Sequence, residues 1–210
     1  MNSSTINLIL VDPMKALCRA WENEFTGIDL VTIVNNRFEK LPEFDCMVSA
    51  ANSFGLMDGG VDRAIIQFFG AELMDRVQQH ILDNYRGEQP VGTSFIIETG
   101  HKKHPYLAHT PTMRVPMKIA CMDNVYCAMW AMLLAIWHHN QKSAHPINTV
   151  ACPGLGTATG RVPVNEAAYQ MALAYRNFID PPLKMSWHFA KIRQNAVKYG
   201  GYEQFKNCCG

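Results

Sequence analysis

The sequence predicts an α/β fold in which helices cover both faces of a sheet. Three observations lead there. Short β-branched apolar runs alternate with stretches of helical periodicity along the chain. Glycine and proline punctuate the junctions between them. A composition of 48% apolar and 18% charged residues over 210 positions suits one globular domain, or one domain with an extension.

The elements follow in order. Residues 6–11 (INLILV) read as a strand. Asp12 and Pro13 then look like a helix start, Asp as cap and Pro at the first helical position. Leu17, Ala20, Trp21 and Phe25 recur at helical spacing, and Gly27 ends the helix. Residues 28–34 and 46–50 are the next strands. Residues 60–85 are helical, in two pieces. Residues 91–98 and 106–110 read as strands, 124–140 as an apolar helix, 147–152 as a strand and 165–178 as a helix.

Charge and cysteine usage narrow the function classes. Nineteen Lys and Arg against 18 Asp and Glu leave a formal charge of +1, so no global field attracts nucleic acid or an anionic membrane. Seven cysteines are an odd count with no CxxC pair, which argues for free thiols in a reducing cytoplasm. The polar start (Asn2, Ser3, Ser4, Thr5) has no charged region ahead of an apolar one, so no secretory leader is expected. The longest apolar run, residues 127–137, is too short to span a bilayer and reads as a buried helix.

Composition shifts after Asp180. Residues 181–210 form a basic extension. Lys184, Lys191, Arg193, Lys198 and Lys206 oppose Glu203, five minus one, a net of about +4. Two readings stand: an arm for a polyanion such as nucleic acid, or a surface helix packed through Trp187, Phe189, Ile192 and Val197.

In α/β sheets, ligands gather outside the carboxyl ends of the strands. Two segments there are glycine-rich. Gly154, Gly156 and Gly160 follow a strand and precede a helix. Curled glycine backbone directs amide hydrogens into one concavity, and the helix start adds positive potential, so this loop suits phosphate. Thr157 and Thr159 supply hydroxyls. No Lys-Ser or Lys-Thr follows, which excludes a nucleoside-triphosphate P-loop. In the other segment, Asn52 ends a strand and Asp62 opens a helix ten positions on, with Gly59 and Gly60 between. These glycines permit close backbone approach to a ligand, while Asp62 alone would also suit a helix's first turn.

Residues 48–65, Val-Ser-Ala-Ala-Asn-Ser-Phe-Gly-Leu-Met-Asp-Gly-Gly-Val-Asp-Arg-Ala-Ile, resemble the macro domain signature: V-N-A-A-N, then G-G-G-V-D, then A-I. The 152–163 loop is similar to the family's second ligand loop, and the likeness spans about residues 5–180. Phe54-Gly55 and the 111–116 segment look like a divergent branch. The resemblance implies a three-layer α/β/α fold with a mixed sheet and an ADP-ribose cleft across the strand ends. It implies that Asn52 bonds the distal ribose and that Asp62 is the acid at the reacting centre. Ala51, Gly59, Gly60 and Val61 would line the ribose and diphosphate. Gly154, Gly156, Thr157, Ala158 and Thr159 would cradle the diphosphate. Ser49 stands where the family has Asn. The family's Gly-Asp-Ile-Thr, whose Asp takes the adenine amino group, is replaced by residues 36–41, leaving Asn36 as a hydrogen-bond acceptor or Phe38 as a stacking surface for adenine.

Two activities are compatible with that resemblance. One is hydrolysis of an ADP-ribosyl bond, on a modified macromolecule or a small ester such as ADP-ribose 1″-phosphate. The other is non-catalytic reading or sequestration of ADP-ribose or a related nucleotide. Neither calls for a cofactor or a metal. His101 with His104, and His138, His139 and His145, offer no compact ligand quartet. Cys152, beside the glycine loop, reads as a buried thiol or a nucleophile. Arg114 reads as a cleft cation or a surface residue.

Overall fold

The computed structural model describes residues 6–197. The strands are β1 (Asn7–Val11), β2 (Val31–Val34), β3 (Cys46–Asn52), β4 (Phe95–Glu98), β5 (Tyr106–Met113) and β6 (Thr149–Cys152). The helices are α1 (Lys15–Glu24), α2 (Gly60–Phe69), α3 (Glu72–Tyr85), α4 (Asn124–Lys142), α5 (Val164–Ile179) and α6 (Trp187–Val197), with one 3-10 turn at Phe38–Lys40. One six-stranded sheet runs β2-β1-β6-β3-β5-β4. Its first five strands are parallel neighbours, and β4 pairs antiparallel with β5, so the sheet is mixed.

The strands carry apolar side chains on both faces because both faces are covered. Leu8 and Leu10 of β1, Cys46 and Val48 of β3, Ala108 of β5 and Val150 and Cys152 of β6 enter one core with α1, α4 and α5. The intervening Val11, Met47, Leu107 and Ala151 enter the other, with Ile65 of α2 and Val77 and Ile81 of α3. This period-2 division produces three layers. The apolar α4 buries Val125, Ala128, Met129, Met132, Leu133 and Ile136.

Some local expectations change. Helix α1 starts at Lys15, so Pro13 precedes the helix. Asp12 is not its cap; its Oδ1 accepts the Met14 N–H at 2.8 Å, closing an Asx turn. The strand at 91–98 shortens to its last four residues, because a turn ends at Pro90–Thr93. Strand β5 extends to Met113 through Pro111. The proline is tolerated because β4 pairs only with residues 106–109, beyond which no partner needs its missing N–H. A register shift between Ala51 and Asn52 sets Asn52 opposite Met113 and bends the strand end.

Of the four apolar residues expected to pack the last helix, Val197 is buried and Phe189 half-buried. Trp187 and Ile192 are 84% and 56% exposed. Instead, Tyr169 Oη donates to Ala196 O (2.8 Å), and the Arg193 guanidinium lies 5.1 Å from the Trp130 ring and 4.9 Å from Phe189. Lys198, Glu203 and Lys206 lie outside the described residues. Among those described, no helix is long and apolar enough to cross a membrane.

Candidate functional site

The carboxyl ends of β1, β6, β3 and β5 open into one cleft of about 500 Å³. The chain folds so that both glycine-rich segments line it. Asn52, Gly59, Gly60, Val61 and Asp62 form one wall with Ala51, and Gly154, Gly156, Thr157, Ala158 and Thr159 form the other. Phe38, Thr112, Met113 and Pro116 also line it. That space fits a nucleotide-sized ligand.

Each wall has a local cause. Gly59 precedes α2 in an extended conformation, and Gly60 opens the helix at φ 55°. A Cβ at either would meet nothing within 4 Å, so the space beside them is open. Gly156 has φ 71° and also leaves no room for a Cβ, which would fall 2.9 Å from Val125 Cγ2. The Gly154 N–H donates to Asp12 Oδ2 at 3.2 Å, tying the loop after β6 to the end of β1. Ile119 N–H donates to Gly160 O, pinning the loop from beneath.

Asp62 sits in the first turn of α2, is 5% exposed and lines the cleft. Ser49 Oγ donates to Asp62 Oδ1 at 2.6 Å. Ser49 points to the α2 side because it shares a strand face with Met47. Burial pushes the Asp62 carboxyl up to about 6, against the lowering effect of the Ser49 hydroxyl. The helix N-terminus adds favourable potential for its charged form.

Some expected residues miss the cleft, and others line it with their side chains engaged within the protein. Ser49 is fully buried and does not line the cleft, so it reaches a ligand only through Asp62. Asn36 does not line it either; its Oδ1 accepts the N–H of Arg37 at 2.9 Å. Phe38 lines the cleft but is 5% exposed and packs edge-on to Phe68 at 5.5 Å. Asn52 Nδ2 donates to Leu56 O (2.7 Å), while Oδ1 accepts from Phe54 N (3.0 Å) and Leu56 N (3.3 Å), so this side chain shapes its own loop. Arg114 is a surface residue, paired to Glu88 with Nε–Oε1 2.7 Å and Nη2–Oε2 2.8 Å. Cys152 is buried in apolar surroundings that raise its thiol strongly, which removes it as a nucleophile. Among the described residues, no group of three or more His, Cys, Asp or Glu is arranged to hold a metal.

Sequence reasoning missed Asp12, Arg37, Glu39, Leu56 and Asp58, all of which line the cleft. Asp12 had a signal, since it directly follows a strand's carboxyl end. Arg37 and Glu39 flank Phe38 in the turn after β2 and are identified only by the fold.

The Macro domain family model matches residues 48–171, more than half of the chain. This chain belongs to the macro domain family. The macro domain is 32% identical over 134 residues to an uncharacterized protein of Aquifex aeolicus, covering 64% of this chain and 74% of that one. A macro domain-containing protein of Listeria monocytogenes is 39% identical over 79 residues, 38% of this chain and 43% of the relative. Among solved structures, a point variant of the Oceanobacillus iheyensis macrodomain with ADPR has a TM-score of 0.59 at 19% identity, over 94% and 95% of the two chains. That likeness establishes the shared α/β architecture.

Proposed function

We propose that this macro domain binds ADP-ribose across the strand ends and hydrolyses an ADP-ribosyl bond. The observation that carries the reading is the Asp62–Ser49 pair: a buried carboxylate in the wall of a nucleotide-sized cleft, beside two glycine loops. The loop amides would hold the diphosphate and supply binding energy remote from the chemistry. The distal ribose would then lie beside Asn52 and Asp62. As the bond from the anomeric carbon to its substituent breaks, the electron pair leaves with the substituent and positive charge grows on the sugar. Ionised Asp62 stabilises that charge and takes a proton from the attacking water. With Oδ1 held by Ser49, Oδ2 is the oxygen left for this work.

A carboxyl titrating near 6 is largely ionised at neutral pH, so turnover is expected to rise through pH 6 and then level off. Asp62→Ala is expected to abolish release of ADP-ribose from a modified protein or ester, with ADP-ribose affinity retained within about threefold. Unchanged turnover in that variant removes Asp62 from the mechanism.

One observation favours a second reading, a non-catalytic reader of ADP-ribose. The Asn52 side chain is engaged with its own loop. Calorimetric binding of ADP-ribose with no release from any modified substrate selects that reading.

A further inference from the structure

Helix α6 leaves much of its apolar surface unused by the domain. Trp187 and Ile192 stay in solvent, and Leu183 and Met185, just before the helix, are exposed as well. Polar and cationic contacts hold the helix beside the buried Val197. Tyr169 Oη donates to Ala196 O, the Arg193 guanidinium lies over the Trp130 and Phe189 rings, and Arg193 Nη2 donates to Asn177 O at 3.2 Å. Large apolar side chains gathered in solvent this closely mark an interaction surface.

The charge of that surface narrows the partner. Residues 181–197 contain Lys184, Lys191 and Arg193 and no Asp or Glu. Trp187, Lys191 and Asn195 are spaced four apart, so they form one row along α6, and all three are exposed. Lys184 and His188 are exposed beside the start of the row. Next to Trp187 lies a cavity of about 620 Å³, lined also by Tyr126, Met185, Phe189, Arg193 and Asp123. Neither the row nor this cavity shares a residue with the cleft at the strand ends.

We propose that the outer face of α6 binds single-stranded nucleic acid, with a base stacked on Trp187 and phosphates meeting Lys184 and Lys191. An aromatic ring with a cation one helical turn away matches a chain in which flat bases alternate with phosphates. A lipid surface calls for apolar side chains segregated from the cations, and here Trp187 and Lys191 share a row. A duplex keeps its base faces stacked on one another, out of reach of Trp187. Asp123 disfavours phosphate in the adjoining cavity and leaves that space to a neutral base. The chain as a whole is balanced at +1, so the attraction is local to this face.

The test is fluorescence anisotropy of labelled single-stranded RNA and DNA of about 12 nucleotides, titrated with the full chain. Binding is expected, with a log–log salt slope of about −1.4, from about 0.7 for each of two lysine–phosphate contacts. The matching duplex is expected to bind about tenfold more weakly. Trp187→Ala is expected to weaken single-strand binding by about fivefold or more. Lys191→Gln is expected to reduce the slope by about 0.7. Lys102→Gln, in the exposed loop between β4 and β5, is expected to change neither quantity. Melting temperatures report that each variant folds. Binding of either strand through Trp187 supports the surface, and the tighter of the two names its sugar. No binding at low salt, a duplex bound as tightly, or affinities unmoved by Trp187→Ala and Lys191→Gln in folded protein overturns the inference. Capture by phosphatidylserine vesicles without oligonucleotide binding, or a dimer that Trp187→Ala dissociates and no oligonucleotide binding, overturns it too. An absence of heat with ADP-ribose overturns the cleft reading alone and leaves this surface standing.

Discussion

The two glycine loops look alike in sequence and differ in what their glycines do. In the first, a Cβ at Gly59 or Gly60 would meet nothing within 4 Å. In the second, a Cβ at Gly154 would fall 2.4 Å from Leu17 Cδ2, and one at Gly160 would fall 2.5 Å from Gly156 O. In the first loop the space beside both glycines is open, and only Gly60, at φ 55°, needs glycine for its backbone. The second is glycine-rich because the protein itself fills the space. Packing thus demands glycine in one wall of the cleft and leaves the other wall open.

The largest expected effect breaks the second wall. Gly160→Ala forces a methyl against backbone, which cannot swing aside, and is expected to cost about 3 kcal/mol in denaturant unfolding. A variant as stable as wild type contradicts the packing account.

Asp62 sharpens the contrast next. Its carboxyl titrates higher in the folded chain than in the unfolded one, so the native state binds the proton more tightly. Stability is then expected to fall as pH rises from about 4 through about 6, and to stay at the lower level above that. Asp62→Asn removes this slope and is expected to be more stable than wild type at pH 8 by roughly 2 kcal/mol, while losing turnover. Parallel melting curves of the two proteins across pH 4–8 contradict it.

A smaller change separates Ser49 from the ligand-facing residues. Ser49→Ala leaves Asp62 without its donor and is expected to shift both the carboxyl titration, read by carbon NMR, and the turnover midpoint upward by about one pH unit. Ser49→Thr is expected to restore them. Unmoved midpoints in Ser49→Ala remove Ser49 from the control of Asp62.

The smallest expected effect on stability belongs to Gly59→Ala, within about 0.5 kcal/mol, because the methyl meets nothing within 4 Å. Gly59 lines the cleft, so ADP-ribose affinity is expected to fall about tenfold by calorimetry. A stability loss as large as that of Gly160→Ala erases the distinction between the loops.

Features set by neighbouring residues were legible in the sequence. Apolar runs of period 2 and 3.6 located strands and helices, and both glycine loops are contiguous segments whose placement after strands follows from the α/β rule. Features set by the sheet were not. Ser49 meets Asp62 only because odd-numbered residues of β3 face α2, which depends on the phase of the strand against both cores. Asp12 reads locally as a helix cap, yet it reaches Gly154 across 142 positions of sequence. Arg114 was ambiguous until Glu88 was brought beside it. Trp187 and Ile192 suit a buried face by composition, but α6 turns Val197 inward instead.

The Asp12–Gly154 bond ties cleft assembly to the closing of the chain. Strand β1 is slotted between β2 and β6, so the cleft wall after β6 exists only once β1 has docked against a strand synthesised some 140 residues later. Contacts of such long sequence separation form slowly, after local helices and turns. Ligand capture during refolding should therefore lag behind the recovery of helical signal, making ADP-ribose a reporter of the final step in the acquisition of native structure.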